Sequence, residues 1–337
     1  MAPPPADAAK GGGLYTAAAL RAASAGGGVA RAKVAVIGAG QVGATTALWI
    51  AKRRLADVTL IDIVDGLAAG KALDLMQAAP LEGFDVTVTG TTDFAALAGH
   101  QIVVVTAGLP RKPGMTREDL LTANANIVRP IAEHIKRHAP TAILIVVTNP
   151  LDIMAQLAYA VTGFPKTRVL GMAGVLDSAR LRYFVAQTLH VPARDVEAMV
   201  LGGHGDQMVP LLRYTTVRGK PLAELVDHAT LEQLLQRTRD GGAEIVKLLK
   251  QGSAFYAPGA SVAVTVEALL NDTHATLPCA VYLDGEYGVR NLFIGVPVQL
   301  GARGVERIVE LELTADERQA LHRSADVVRQ GIQALGF

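Results

Sequence analysis

Short apolar runs alternate with longer amphipathic stretches along the chain from Lys33 onward. The alternation predicts six strands, at residues 34–37, 58–61, 86–88, 102–105, 143–147 and 169–170. Strands that are apolar throughout are buried on both faces, which is typical of a parallel sheet covered by crossover helices. The first half of the chain is therefore predicted to form a doubly wound parallel α/β sheet.

The pattern changes after about residue 175. It predicts helices over 223–250, 254–270 and 315–334, and strands over 196–201, 274–284 and 290–299. Because strands here follow one another without regular crossover helices, we expect an α+β domain. The predicted segments are an N-terminal extension over 1–31, a first domain over 32–174 and a second domain, which binds substrate, over 175–337.

The composition excludes several classes of protein. The 337 residues include 32 Lys and Arg against 31 Asp and Glu, so neither nucleic acid nor an anionic membrane is an expected partner. No apolar run approaches the roughly 18 to 20 residues of a membrane span. Cys279 is the single cysteine, which excludes an intrachain disulfide and a cysteine-rich metal site, and we predict that it lies in the core. The expected partner is a small molecule, and no metal is predicted.

Residues 1–31 consist mostly of Ala, Gly and Pro, with Lys10, Arg21 and Arg31 against the single acid Asp7. This composition predicts a flexible tail on a cytoplasmic protein. The same basic, acid-poor stretch also suits a transit peptide for the mitochondrion or another organelle, and that alternative stays open.

A glycine-rich turn follows the first predicted strand and opens a helical run. Its sequence is Gly38-Ala39-Gly40-Gln41-Val42-Gly43. The spacing matches the dinucleotide fingerprint of Rossmann folds, whose first two glycines allow a tight turn and the close approach of a pyrophosphate. The third glycine lets the helix pack on the sheet, and the helix N-terminus binds the phosphates. The motif alone is weak, but its place between strand and helix predicts a Rossmann-type cofactor site.

Asp62 ends the second predicted strand, nineteen residues after Gly43. A carboxylate at this point can accept hydrogen bonds from both ribose hydroxyls and would repel a 2′-phosphate, which predicts NAD rather than NADP. The alternative is that Asp62 only caps a loop.

Further cofactor residues are expected at other strand ends, where open α/β sheets bind their ligands. Val147, Thr148 and Asn149 close the fifth strand, and the amide of Asn149 can donate to a carbonyl group. Asn124 lies on the helix that follows the loop at Gly108. Either Asn could instead be a cap or turn residue.

Among the eight histidines, His204 alone is embedded among glycines, in the segment 202–206. Such a turn leaves an imidazole accessible, and an unperturbed pKa of about 6.5 suits proton transfer near neutral pH. Asp177 and Arg180 are three residues apart and project from one face of a predicted helix. This would place a carboxylate that orients the imidazole beside a guanidinium that binds a substrate carboxylate. The alternative is an N-terminal Asp beside an exposed Arg.

Residues 108–117 follow the fourth strand and have the Pro and Gly content of a long loop. The loop carries three cations: Arg111, Lys112 and Arg117. We predict a lid that closes over an anionic substrate and excludes water.

From about residue 33 onward, the sequence resembles the lactate and malate dehydrogenase family, in particular its lactate-dehydrogenase-like malate dehydrogenases. The most specific segments are residues 38–43, 110–117, 177–180, 202–210 and 253–258. The resemblance implies NAD-dependent, reversible oxidation of (S)-malate to oxaloacetate by hydride transfer. It also implies a homodimer or a homotetramer.

Carried over to this sequence, the resemblance implies that His204 accepts the proton in malate oxidation and that Asp177 orients it. Arg117 would polarise the reacting carbonyl, and Arg180 would bind the C1 carboxylate at two points. Asn149 would contact both the substrate and the nicotinamide.

The resemblance makes Arg111 the residue that selects the substrate. Lactate dehydrogenases usually carry Gln at the matching position, whereas malate enzymes of this subgroup carry Arg, which binds the second carboxylate. One alternative is a 2-hydroxy-acid dehydrogenase for lactate or a branched substrate, although an unpaired buried cation facing a methyl group would cost on the order of several kcal/mol. The other is a non-catalytic NAD-binding homologue.

Overall fold

The structure, a computed structural model, describes residues 31–110 and 114–336. Its strands are β1 Lys33–Ile37, β2 Asp57–Ile61, β3 Val88–Thr91, β4 Ile102–Val105, β5 Ile143–Val146, β6 Val169–Gly171, β7 Val196–Glu197, β8 Val200–Leu201, β9 Val209–Pro210, β10 Thr216–Val217, β11 Lys220–Pro221, β12 Thr276–Asp284, β13 Arg290–Gly301 and β14 Gly304–Ile308. Its α-helices are α1 Gln41–Lys52, α2 Leu67–Glu82, α3 Arg117–His138, α4 Leu151–Thr162, α5 Gly174–Leu189, α6 His228–Leu249, α7 Tyr256–Leu270 and α8 Ala315–Ala334.

The six strands β1 to β6 pair in parallel in the order β3-β2-β1-β4-β5-β6. Strands β4 and β5 are buried at every position, as their continuous apolar sequences require. The strand order reverses between β1 and β4, and ligands of such sheets bind at the carboxyl ends of the strands beside this point. The predicted Rossmann-type sheet is confirmed.

The antiparallel strands β12, β13 and β14 extend this same sheet beyond β6. The junction is the antiparallel pair of Ala280 with Gly171. Two small antiparallel sheets, β11-β10-β7 and β8-β9, complete the α+β part that was expected. The large sheet therefore runs continuously across the predicted boundary at residue 174.

Two strand predictions are corrected. The single strand expected over 196–201 is two strands, because Glu197 pairs with Thr216 whereas Leu201 pairs with Val209 in a different sheet. The strand expected over 86–88 begins later, as β3, because its pairing with β2 starts only at Val88. The hairpin of β13 with β14 is an additional element.

The structure bears on three expectations that came from the composition. Cys279 is fully buried, as predicted, and burial raises the pKa of its thiol to about 12. No helix in the described ranges combines the length and the apolar character of a membrane span. The third expectation concerns the N-terminal extension, and residues 1–30 of it lie outside the described part of the chain.

Candidate active site

The carboxyl ends of β1, β4 and β5 meet at the reversal point of the sheet, and hydrogen bonds connect the loops that follow them. The Thr106 hydroxyl donates to the Gly38 carbonyl oxygen at 2.9 Å. The buried Thr148 hydroxyl donates to the Ala107 carbonyl oxygen at 2.7 Å. The predicted residues Thr148 and Val147 thus lie beside the end of β4 and the loop that follows it, and Val147 donates its N–H to the Val105 carbonyl oxygen at 2.9 Å.

The three glycines of the turn are needed for two different reasons. Gly38 has a φ of 98°, and a Cβ at Gly43 would lie 1.8 Å from the Gly38 carbonyl oxygen. A Cβ at Gly40, in contrast, would meet no atom within 4 Å. Gly38 and Gly43 are therefore required by the turn itself, whereas Gly40 leaves open space through which a ligand can approach the backbone.

The N-terminus of α1 lacks the side chains that usually accept hydrogen bonds from the first backbone N–H groups of a helix. Its N-cap is Gly40, which makes no side-chain cap, and its first turn contains no acid. Helices α3 and α8 begin instead with complete capping boxes, formed by Thr116 with Asp119 and by Thr314 with Glu317. Unsatisfied N–H groups and the positive end of the helix dipole suit an anion. The start of α1 therefore fits the pyrophosphate of a dinucleotide.

Asp62 lies at the end of β2, where its carboxylate contacts the glycine turn. One oxygen accepts the Ala39 N–H at 2.7 Å, and the other accepts the Val64 N–H at 3.0 Å. The side chain thus caps a loop. A carboxylate has about four acceptor sites, so these two bonds leave capacity for ribose hydroxyls.

Asn124 is 1% exposed, and its amide is engaged with backbone groups. Its Oδ1 accepts the Leu109 N–H at 2.7 Å, while its Nδ2 donates to the carbonyl oxygens of Leu109 at 3.1 Å and Asn149 at 2.7 Å. Asn124 therefore joins the start of the lid loop to the Asn149 backbone. Asn149 itself is exposed, which leaves its amide accessible.

The structure brings His204, Asp177 and Arg180 together. His204 Nδ1 lies 2.9 Å from Asp177 Oδ2, and Arg180 Nη1 lies 3.3 Å from Asp177 Oδ1. The Asp177 side chain is only 3% exposed, against 14% for His204 and 13% for Arg180. One buried carboxylate of α5 thus contacts both an imidazole and a guanidinium, and the contact with the guanidinium is the one that the spacing on that helix predicts.

The surroundings of His204 favour its protonated form. Burial by itself lowers the pKa of the imidazole, but the charge and hydrogen bond of Asp177 raise it, and the net pKa of His204 lies above its ordinary value. The Arg180 charge opposes this effect and the Asp152 charge adds to it. Burial lowers the pKa of Arg180, and Asp177 partly offsets that. The site is therefore suited to hold an imidazolium.

Arg180 lies against a pair of glycines on α6. A Cβ at Gly241 would be 3.2 Å from Arg180 Cδ, and one at Gly242 would be 3.6 Å from Arg180 Nη2. The absence of side chains at these two positions gives the guanidinium room beside Asp177.

Arg117 reaches the loop of His204 through an ion pair. Its Nη2 lies 2.7 Å from Asp206 Oδ2, and both side chains are largely exposed, at 73% and 69%. Because Asp206 is two residues from His204, this ion pair places Arg117 beside the glycine-rich turn that carries His204. Arg111 and Lys112 lie outside the described residues.

Sequence reasoning missed two residues that contact the His204 turn. Asp152 accepts the His204 N–H at 2.9 Å, and the Ser324 hydroxyl oxygen accepts the Gly203 N–H at 2.8 Å. Asp152 left a signal, since it is the one charged residue in the otherwise uncharged α4. Ser324 left none, because a serine in an amphipathic helix is ordinary.

Known proteins match both parts of this chain. Residues 32–171 match the family model of the lactate/malate dehydrogenase NAD binding domain, which confirms the predicted cofactor. Residues 174–335 match the model of the lactate/malate dehydrogenase alpha/beta C-terminal domain. The malate dehydrogenase of Desulforudis audaxviator is 54% identical over 305 residues, which cover 90% of this chain and 99% of the relative.

Solved structures of both kinds of enzyme are similar to this chain. The malate dehydrogenase of Cryptosporidium parvum has a TM-score of 0.89 at 43% identity, covering 91% of this chain and 99% of its own. The lactate dehydrogenase of the same organism, complexed with lactic acid and nicotinamide adenine dinucleotide, also has a TM-score of 0.89, at 40% identity and with coverage of 92% and 99%. The chain belongs to the lactate/malate dehydrogenase family.

Proposed function

We propose that this protein is an NAD-dependent malate dehydrogenase, which interconverts (S)-malate and oxaloacetate. The observation that carries the proposal is the buried Asp177 of α5, which contacts both a proton-transfer group, His204, and a carboxylate-binding cation, Arg180. The relatives that are named malate dehydrogenase, at 52% to 55% identity, support the same activity.

In this proposal His204 takes the proton of the substrate hydroxyl during oxidation and returns it to the carbonyl oxygen during reduction. Asp177 orients the imidazole and stabilises its charged form. Arg180 binds the C1 carboxylate through its planar guanidinium. Arg117 exchanges Asp206 for the reacting carbonyl, and Asn149 donates its amide to the substrate.

The glycine turn and the N-terminal amides of Gln41, Val42 and Gly43 would hold the pyrophosphate of NAD. Asp62 would bind the ribose, and the segment 147–149 would line the nicotinamide end, supported by Asn124. Bound NAD supplies the acceptor of the hydride in malate oxidation.

A second candidate is a lactate dehydrogenase, which is favoured by the similarity to the lactate dehydrogenase of Cryptosporidium parvum. Oxaloacetate and pyruvate share the carbonyl and the C1 carboxylate, so His204, Arg117 and Arg180 cannot distinguish them. Only the second carboxylate differs. We assign its recognition to Arg111.

The test is the oxidation of NADH, followed by its absorbance, with oxaloacetate or pyruvate. Truncating one member of a buried charge pair costs about 2 to 5 kcal/mol, so Arg111→Gln should lower kcat/KM for oxaloacetate roughly 30-fold to several thousand-fold and raise it for pyruvate. A specificity ratio that moves by less than about tenfold would remove Arg111 from substrate selection. Activity with pyruvate alone would identify the second candidate, and activity with neither substrate would identify a non-catalytic homologue.

The proposal includes a homodimer or homotetramer in the cytoplasm. Light scattering after size-exclusion chromatography measures the assembly, and fractionation of the source cells measures the location. A monomer or an organelle-bound enzyme would contradict these two parts without touching the assignment of substrate.

A further inference from the structure

Asp152 is a buried acid that neither binds the predicted substrate groups nor belongs to the cofactor half of the site. It lies in the first turn of α4, where it is 4% exposed. Its Oδ2 accepts the His204 N–H at 2.9 Å, while its Oδ1 is buried without a hydrogen-bond partner among the described residues. Burying a carboxylate with one oxygen unpaired is costly, so its retention calls for a reason.

The contact with His204 is one of three that hold the catalytic turn. The N–H of Gly202 donates to the carbonyl oxygen of Gly295 on β13 at 2.8 Å, and the N–H of Gly203 donates to the hydroxyl of Ser324 on α8. Three successive N–H groups are therefore satisfied by three different elements. Two of the acceptors are neutral, which shows that a neutral acceptor is sufficient for anchoring.

The charge of Asp152 is what separates it from the other two anchors. Its charged neighbours are His204 on the turn and Asp177 on α5. Helix α8 approaches with the uncharged Ser324, β13 contributes a backbone carbonyl to the turn, and α3 approaches the start of α4 with the uncharged Asn124. Of the two charged neighbours, only the imidazole can be positive.

The protonation equilibria of the two groups are coupled through this contact. Burial raises the pKa of Asp152 to about 6, an effect that the His204 N–H and imidazole partly oppose. At this pKa Asp152 is mostly ionised at neutral pH. In return its charge contributes to the raised pKa of His204, in the same direction as Asp177 and against Arg180.

We propose that Asp152 is a second positioning residue for His204, which fixes the backbone of the catalytic turn and, through its charge, stabilises the imidazolium together with Asp177. The inference rests on the proposed function, because it assigns His204 the proton transfer. Asp177 acts on the ring of His204, whereas Asp152 acts on its backbone and through the field of a buried charge.

The test is the pH dependence of kcat/KM for malate oxidation, which needs the neutral imidazole and therefore rises with pH through the pKa of His204. Asp152→Asn keeps an oxygen that accepts the His204 N–H and removes the charge. Its midpoint should move to lower pH by about 0.5 to 1 unit, because the imidazolium loses a stabilising charge. Oxaloacetate reduction, which needs the imidazolium, should lose activity at a correspondingly lower pH.

Ser324→Ala is the matched control, since it removes the neighbouring anchor of the turn without changing any charge. It should lower the plateau of kcat/KM and leave the midpoint in place. Asp152→Ser provides a second neutral variant, smaller than Asn, whose midpoint should move in the same direction. Circular dichroism and NADH binding by fluorescence check that each variant is folded.

If the midpoint of Asp152→Asn equals that of the wild type, the inference is overturned. Asp152 then anchors the turn as Ser324 does, without any effect of its charge. Loss of folding in both neutral variants would overturn it too, because the carboxylate would then serve the fold. Failure of the proposed function is a separate result, in which His204→Gln retains full turnover whatever the Asp152 variants do.

Discussion

The cofactor half and the catalytic half of the site handle charge by different means. The cofactor half presents the backbone of the glycine turn and the uncapped start of α1, where Gly40 and Gln41 are exposed. The catalytic half instead contains a buried cluster of charged side chains around Asp177. Backbone N–H groups keep their polarity at any pH but depend on the shape of the turn, whereas side-chain charges depend on the protonation of their neighbours. The first half should therefore be sensitive to added atoms and the second to pH.

The largest expected effect separates the two halves directly. His204→Gln should lower turnover by roughly 10² to 10⁴, because the proton loses its acceptor. Binding of NADH, titrated by fluorescence, should stay near the wild-type value, since the glycine turn does not contact His204. A joint loss of turnover and NADH binding would break the comparison.

The buried charge of Asp152 should also appear in the stability of the protein. Its folded pKa of about 6 lies above the ordinary 3.8, so the stabilisation from its protonated form is complete below about pH 4 and is lost as the pH rises through 6. Asp152→Asn avoids this loss and should be more stable than the wild type by about 3 kcal/mol at pH 8. Urea unfolding at pH 4 to 8 measures the difference. A difference that does not change with pH would show an ordinary carboxyl.

The glycine turn offers the complementary test with added atoms. Gly40 has ordinary φ and ψ of −65° and −166°, and a Cβ there meets no atom, so Gly40→Ala should change the free energy of unfolding by less than about 1 kcal/mol. NADH binding should weaken by about tenfold or more, because the methyl group occupies the approach of the pyrophosphate. Gly70→Ala on α2, which also points into open space, is the control and should leave NADH binding intact. Equal affinity in both variants would place the pyrophosphate elsewhere.

The smallest effect concerns Asp62, the acid that contacts the glycine turn. Asp62→Ser should reduce the preference for NADH over NADPH by about tenfold, since the carboxylate no longer repels the 2′-phosphate. Asp62→Asn keeps an acceptor for the Ala39 N–H and should reduce the preference similarly if charge sets it. An unchanged ratio of kcat/KM values in both variants would assign the ribose to another group.

Local patterns were sufficient wherever one segment carries the chemistry. The parallel sheet follows from runs such as 102–105 and 143–147, because continuous apolar strands bury both faces. The pair of Asp177 and Arg180 follows from helical spacing, since residues three apart lie on one face. By contrast, the segment 196–201 resembles one strand in isolation, and it is divided only because its two ends find partners in different sheets.

Sequence by itself determined the family, the Rossmann-type sheet and the glycine turn, since each depends on neighbours within one stretch of chain. Asp177 was expected beside His204, but only the tertiary structure decided which elements hold the turn that carries it. Asp177 and Asp152 contact His204 from α5 and α4, and Ser324 contacts the neighbouring Gly203 from α8, at separations along the chain of 27 to 121 residues. Residues so far apart along the chain leave no periodic pattern in the sequence, because they are brought together only when three helices pack against one turn. The anchoring of the catalytic turn and the partner of Arg117 therefore became visible only in three dimensions.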